Sequence, residues 1–219
     1  MAQIAESMWA VDMDRTLLDT ELTFDKFARL CVCNHVVNGD VLDEAKRATE
    51  GSVGSFDVMN YLKDYGVEAD TIDGLYQEFA ANKEGDELLY DDAVPFITRL
   101  DEAGIPNLIL TKGSETWQTA KLLAAGMYSR PHFITPVAAK GELITTWRTR
   151  EGYQVASSAG KLLVARSVIL VDDKLESFEG LPDDCAGFLI DRSKVVTDMH
   201  LLNLPRAVAV KHSLYGLAA

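Results

Sequence analysis

Short, uninterrupted apolar runs alternate along this chain with longer stretches in which apolar residues recur every third or fourth position. Residues 8–11, Met-Trp-Ala-Val, form the first run and stop at Asp12. Four amphipathic stretches follow. Phe24, Phe27 and Cys31, with Leu30 beside them, mark the first, and Val41, Leu42 and Ala45 mark a second that ends before Gly51. A third has Ser55 as its predicted N-cap, Met59 and Leu62 facing inward and Gly66 closing it; a fourth is capped by Asp70 and carries Ile72, Leu75 and Phe79. Nothing in residues 20–90 alternates with a period of two, and no unit repeats.

From Asp91 the rhythm changes to strand and helix in turn. Asp91 or Asp92 caps a predicted helix with Pro95 in its first turn and Phe96, Leu100 and Ala103 on one face, ending at Gly104. Residues 105–110 read as a strand, Ser114 opens a helix with Trp117, Ala120 and Ala124 in its stripe, and residues 132–135 read as a third strand. Residues 142–149 are predicted helical with Trp147 inward, and 152–160 fit a loop or an irregular strand. Residues 167–171 and 187–190 are two further strands, and the tail suggests a strand over 207–210 and then a helical end. Continuous apolar strands separated by helices predict an α/β fold: a Rossmann-like parallel sheet core with helices on both faces. The expected domains are a core of residues 1–19 and 91–219 and an inserted helical module of residues 20–90.

In an open parallel sheet the ligand site lies at the carboxyl ends of the strands, and the polar residues of this chain collect there. Asp12 and Asp14 follow the first strand, Thr111 and Lys112 the second, and Asp172 and Asp173 the fourth, while Lys140 follows the third after a short loop. Four carboxylates converging with a hydroxyl and one or two lysines suit a divalent cation and a phosphate. Mg²⁺ takes oxygen ligands and keeps several waters, so few carboxylates suffice. Phosphoryl transfer then needs a nucleophile, a proton donor for the leaving oxygen and clamps on the equatorial oxygens, and a carboxylate nucleophile gives an aspartyl-phosphate that water later hydrolyses.

Composition narrows the partners. The 219 residues are 47% hydrophobic and 25% charged, ordinary for a globular chain. A net charge of −13 argues against binding to a nucleic-acid backbone or an anionic membrane surface. Cys31 and Cys33 fall in a helical pattern with no second ligand pair nearby, so they and Cys185 read as reduced packing residues rather than a zinc or redox site. No N-terminal apolar run fits a signal peptide or a membrane span, which makes the cytoplasm the expected compartment.

The motifs resemble those of haloacid dehalogenase-like (HAD) phosphatases. That family reads Asp-x-Asp-x-Thr after its first strand, here Asp12-Met-Asp14-Arg-Thr16. A Ser or Thr after an apolar strand is matched by Thr111, a lysine by Lys140, with Lys161 as the alternative, and an acidic pair after a strand by Asp172 and Asp173. The resemblance implies that Asp12 is the nucleophile and a metal ligand, and that Asp14 protonates the leaving group, then activates water, with its backbone carbonyl on Mg²⁺. Thr111 would bond the transferring phosphoryl beside the helix starting at Ser114, Asp173 would bind the metal directly with Asp172 as a second ligand or partner, and Lys112 would lie at the pocket edge. Thr16 would steady the turn. Arg15 stands where many members have glycine, and it either pairs with a surface acid or reaches toward an anionic substrate. The helical module occupies the place of a C1-type cap. The implied activity is Mg²⁺-dependent hydrolysis of a small phosphorylated metabolite, and the presence of Asp14 favours it over dehalogenation. A phosphotransferase or phosphomutase on the same scaffold, or a non-catalytic phosphate-binding relative, shares these motifs. A response-regulator receiver places its acidic pair first rather than last, and the run Ser157–Lys161 lacks the first glycine of a P-loop.

Overall fold

The computed structural model describes residues 4–49, 57–81, 85–158, 160–193 and 208–217. Among these, eight strands form one sheet. β1 (Ala5–Val11), β2 (Asn107–Lys112), β3 (His132–Thr135), β6 (Leu162–Asp172), β7 (Ala186–Ile190) and β8 (Val208–Lys211) pair in parallel in the order β3-β2-β1-β6-β7-β8. β6 is long enough to serve two neighbours on one side. Its last residues run beside β7, and its first pair antiparallel with β5 (Gly152–Ala156), which carries the two-residue β4 (Arg148–Thr149) at the sheet's far edge.

The period of two along β1 sorts its side chains between two cores. Trp9 and Val11 face a cluster with Phe96, Ile97 and Leu100 of α5 (Ala93–Glu102) and Trp117 and Ala120 of α6 (Glu115–Ala124). Met8 and Ala10 face the other side, where Ile144 of α7 (Lys140–Thr146), Trp147, Tyr153 and Phe178 pack. The four helices between β1 and α5 are α1 (Thr20–Cys33), α2 (Gly39–Thr49), α3 (Val58–Asp64) and α4 (Ala69–Ala80). Their stripes belong to the first cluster. Phe27 and Phe79 meet Trp117 of α6 with ring centroids 5.0 and 5.6 Å apart. The two chain segments that join these helices to the rest run antiparallel and hydrogen-bonded: Asp19 N donates to Leu88 O at 2.8 Å and Tyr90 N to Leu17 O at 2.9 Å. No helix of the described residues is long and apolar enough to cross a membrane. The three cysteines are free, with Cys31 and Cys185 buried and Cys33 exposed.

Several local expectations change. α3 is capped by Asp57, whose carboxylate accepts from Met59 N and Asn60 N, and the expected cap Ser55 and Gly51 lie outside the described residues. α4 begins one position before Asp70, which sits in its first turn. The predicted helix over 142–149 starts earlier, at Lys140, and gives way to β4, because Arg148 and Thr149 find strand partners in Tyr153 and Gly152. The ambiguous 152–160 segment supplies β5. After β8 the chain makes turns, not a helix, and residue 207 lies outside the described residues.

Asp92 occupies the N-cap position of α5, yet its side chain makes no cap bond. It accepts instead from Arg192 Nη2 and Nη1 at 2.8 and 3.1 Å and from Leu214 N at 2.8 Å. Arg192 stacks 3.7 Å over the Tyr90 ring and also donates to the carbonyls of Arg15 (3.2 Å) and Thr16 (2.6 Å). One guanidinium thus joins the loop after β1, the start of α5 and the chain after β7. Arg192→Ala leaves the buried Asp92 carboxylate without its counter-ion and is expected to cost about 3 kcal/mol, read as a lower urea midpoint. An unchanged midpoint would show that the cluster does not hold these loops.

Candidate functional site

β1, β2 and β6 run in parallel register and deliver Asp12, Thr111 and Asp172 to one edge of the sheet. Asp12 N donates to Val171 O at 2.8 Å, which keeps the loop after β1 level with the end of β6. Lys140 is the first residue of α7, and the buried ammonium reaches both strand ends: Nζ donates to Asp12 Oδ1 and, at 2.6 Å, to Asp172 Oδ2. Gly141 makes this approach feasible. A Cβ there would stand 2.4 Å from Glu179 O and 2.5 Å from Leu181 N, so only glycine lets α7 lie against the segment that follows Asp173.

Asp12, Asp172 and Asp173 present carboxylate oxygens all within 4.8 Å of one another. Burial, then the Asp172 charge, pushes the Asp173 carboxyl up to about 7. Burial likewise raises Asp12 well above the ordinary carboxylate range; Lys140 works against the rise, and the charges of Asp172, Asp173 and Asp14 add to it. Lys140 itself is raised despite its burial, because two carboxylates favour its charged form. One ammonium therefore balances three acids, and among the described residues no cation lies within ion-pair distance of Asp173. A donor set of hard oxygens with excess negative charge fits a divalent cation such as Mg²⁺.

Asp14 is held by other partners. Lys121 of α6, 3% exposed, donates to its Oδ1 at 2.6 Å and Oδ2 at 2.5 Å. Thr20 Oγ1 donates to Oδ1 at 3.1 Å and Gln118 Nε2 to Oδ2 at 3.3 Å. Burial works against this carboxylate, but Lys121 and these hydrogen bonds outweigh it and hold Asp14 below its ordinary range. Gln118 also accepts from Thr111 Oγ1 at 3.2 Å and donates to Lys112 O at 2.7 Å. It lies across Gly113, where a Cβ would meet its side-chain nitrogen at 2.3 Å.

Lys121 and Gln118 escape a search of strand ends because they lie in a helix. The signal was two polar residues three apart on the face that carries Trp117, Ala120 and Ala124, where an amphipathic helix should be apolar. Arg192, by contrast, comes two positions after the last residue of β7. Lys112 is half-buried at the edge of the site. Lys161 is exposed in the turn before β6, at the opposite end of the strand from Asp172, roughly 35 Å along an extended chain. Arg15 adopts a left-handed backbone (φ 59°), a conformation that glycine reaches at no steric cost. Its guanidinium pairs with the exposed Glu21 at 3.0 Å. Thr16 is fully buried, and its hydroxyl has no hydrogen-bond partner.

No protein-family profile matches the sequence, and no curated protein matches it either. Solved structures do. A Burkholderia xenovorans protein described as haloacid dehalogenase-like aligns at a TM-score of 0.65 and 16% identity, covering 96% of this chain and 94% of the other. A HAD phosphatase of Thermococcus onnurineus gives a TM-score of 0.60 at 16% identity, covering 95% and 94%. A dehalogenase with an intermediate complex gives 0.53 at 15%, covering 97% and 95%. At these identities the likeness is one of architecture, and by architecture the chain has the haloacid dehalogenase-like fold.

Proposed function

We propose that this protein is a Mg²⁺-dependent phosphatase that hydrolyses a small phosphorylated metabolite through an aspartyl-phosphate on Asp12. The observation that carries the reading is the buried group of Asp12, Asp172 and Asp173 around the single ammonium of Lys140. Asp12, Asp172 and Asp173 would hold the ion by their carboxylates and Asp14 by its backbone carbonyl. When bound, Mg²⁺ supplies positive charge that offsets the acids and the phosphoryl oxygens.

The remaining roles fall to the chain. Asp12 attacks phosphorus from a position fixed by Lys140 and by the backbone bond to Val171. Thr111, at the carboxyl end of β2, turns its hydroxyl from Gln118 to a phosphoryl oxygen. Lys140 neutralises charge on the nucleophile and on the transferring group. Residues 20–90 act as a C1-type cap that excludes water, a reading supported by the paired segments at 17–19 and 88–90 that join them to the sheet. Asp14 favours phosphoryl chemistry over dehalogenation, since the dehalogenase pattern lacks that acid.

Asp12→Asn is expected to abolish Mg²⁺-dependent phosphate release from an aryl phosphate, a loss of at least about 10³-fold. Retention of turnover in that variant sinks the aspartyl-phosphate mechanism. A second prediction concerns metal and pH. In metal-free protein the raised Asp173 carboxyl, near 7, makes the folded state bind more protons than the unfolded one between about pH 4 and 7, so this group's contribution to stability is lost as pH rises through that window. Mg²⁺ needs the ionised acids. It should therefore raise Tm by more at about pH 8 than at about pH 5, in scanning calorimetry with and without the ion. An equal shift at both pH values would remove Asp173 from the metal site.

A further inference from the structure

Arg15 is held firmly by its backbone and loosely by its side chain. Its amide donates to Leu18 O at 2.9 Å and to Thr20 Oγ1 at 3.0 Å, and its carbonyl accepts from Arg192 Nε at 3.2 Å. The side chain, by contrast, is 55% exposed. Of the donors a guanidinium offers, the described residues engage one, Nη2, which donates to Glu21 Oε1 at 3.0 Å. An exposed pair of this kind adds less stability than a non-glycine residue loses in the left-handed region. Stability therefore does not account for an arginine at this turn, and a strained backbone beside the reacting groups points to function. The guanidinium also lies close to the acid cluster. Partial burial works against its charge, but the Glu21 hydrogen bond and the nearby Asp173 favour it. The half-buried Tyr90 is in electrostatic reach of both Arg15 and Asp173.

We infer that Arg15 is a specificity-determining residue that leaves Glu21 to bind a second oxyanion group of the substrate, a carboxylate or a second phosphoryl group. The site then takes small phosphomonoesters that carry such a group in preference to those that end in a neutral one. The inference rests on the phosphatase reading. With Mg²⁺ bound, the ion and the two buried lysines match the four acids in charge, so a further anionic group on the substrate needs a cation of its own. The exchange of partners costs little, because the pair with Glu21 is exposed on both sides. A planar fork bonds a carboxylate or a phosphoryl group through two parallel N–H groups, which an ammonium does not do. The fixed backbone keeps the reach of the side chain short and its origin constant.

The test is inhibition of Mg²⁺-dependent p-nitrophenyl phosphate release, at saturating Mg²⁺, by phosphonates that differ in their far end: propylphosphonate, 3-phosphonopropionate and ethane-1,2-diphosphonate. At least one of the latter two is expected to inhibit about 10–100-fold more tightly than propylphosphonate, and which one does so tells a carboxylate from a phosphoryl group. Arg15→Gly suits the left-handed turn and is expected to bring that ratio to within about threefold of one. Glu21→Gln removes the competing carboxylate and is expected to widen the ratio, and Arg15→Lys to keep only part of it. A merely structural arginine would shift the inhibition constants together in Arg15→Gly and leave their ratio alone. Equal inhibition by all the phosphonates in the wild-type protein, or an unchanged ratio in Arg15→Gly, overturns the inference; should that variant not fold, an unchanged ratio in both Arg15→Lys and Glu21→Gln does so. Absence of metal-dependent release overturns the phosphatase reading and the inference with it, a distinct result from turnover with equal inhibition.

Discussion

Burying the Lys140 ammonium between Asp12 and Asp172 is the constraint on which the other features of the site depend. Ions of this size lose several kcal/mol of hydration when buried, and that loss is offset only if geometry and further bonds are good. The chain meets the condition with backbone. β1 and β6 lie in register, so the two acids end their strands side by side, and Gly141 allows the first turn of α7 to close on the segment after Asp173. The geometry leaves Asp173 over: three acids share one cation, and the excess negative charge at the strand ends is of the kind a divalent cation would offset.

The same economy of charge explains how two carboxylates separated by one residue can coexist. Asp12 and Asp14 repel, yet each has its own buried lysine, from α7 in one case and α6 in the other. Both lysines lower the carboxyl they contact, but to different net effect. Lys140 shares its charge between two carboxylates and leaves Asp12 raised, whereas Lys121 is given wholly to Asp14 and holds it low. The two acids end apart because burial and three neighbouring carboxylates act against the charge of Asp12, whereas Thr20 and Gln118 join Lys121 in holding that of Asp14.

The sheet was legible in the chain because a buried parallel strand needs a continuous apolar run, and such a run stops where polar function starts. The rule finds Asp12, Thr111, Asp172 and, one loop on, Lys140. It fails for α6, whose Lys121 and Gln118 lie away from any strand end and are marked only by falling on the face that carries Trp117, Ala120 and Ala124. It fails also for residues 148–156, where short strands made of Arg, Thr, Gly and Gln carry little hydrophobic signal and are fixed by pairing with β6. The cap of α3 falls at Asp57, and Asp92 holds the expected N-cap position of α5 without making a cap bond. Sequence does not show that a distant guanidinium, Arg192, takes the Asp92 carboxylate for another purpose.

Arg192 also bears on the motif itself. The loop after β1 has to turn sharply with a non-glycine residue in left-handed geometry at Arg15, a conformation that costs about 1–2 kcal/mol. The carbonyls on either side of that turn, of Arg15 and Thr16, are the ones that accept from Arg192, and Arg15 N is tied to Thr20 Oγ1 at 3.0 Å. Thr20 in turn donates to Asp14. The strained turn is thus held from outside by one cation and from inside by a hydroxyl that also donates to the Asp14 carboxylate, so the backbone strain and the orientation of Asp14 are parts of a single arrangement.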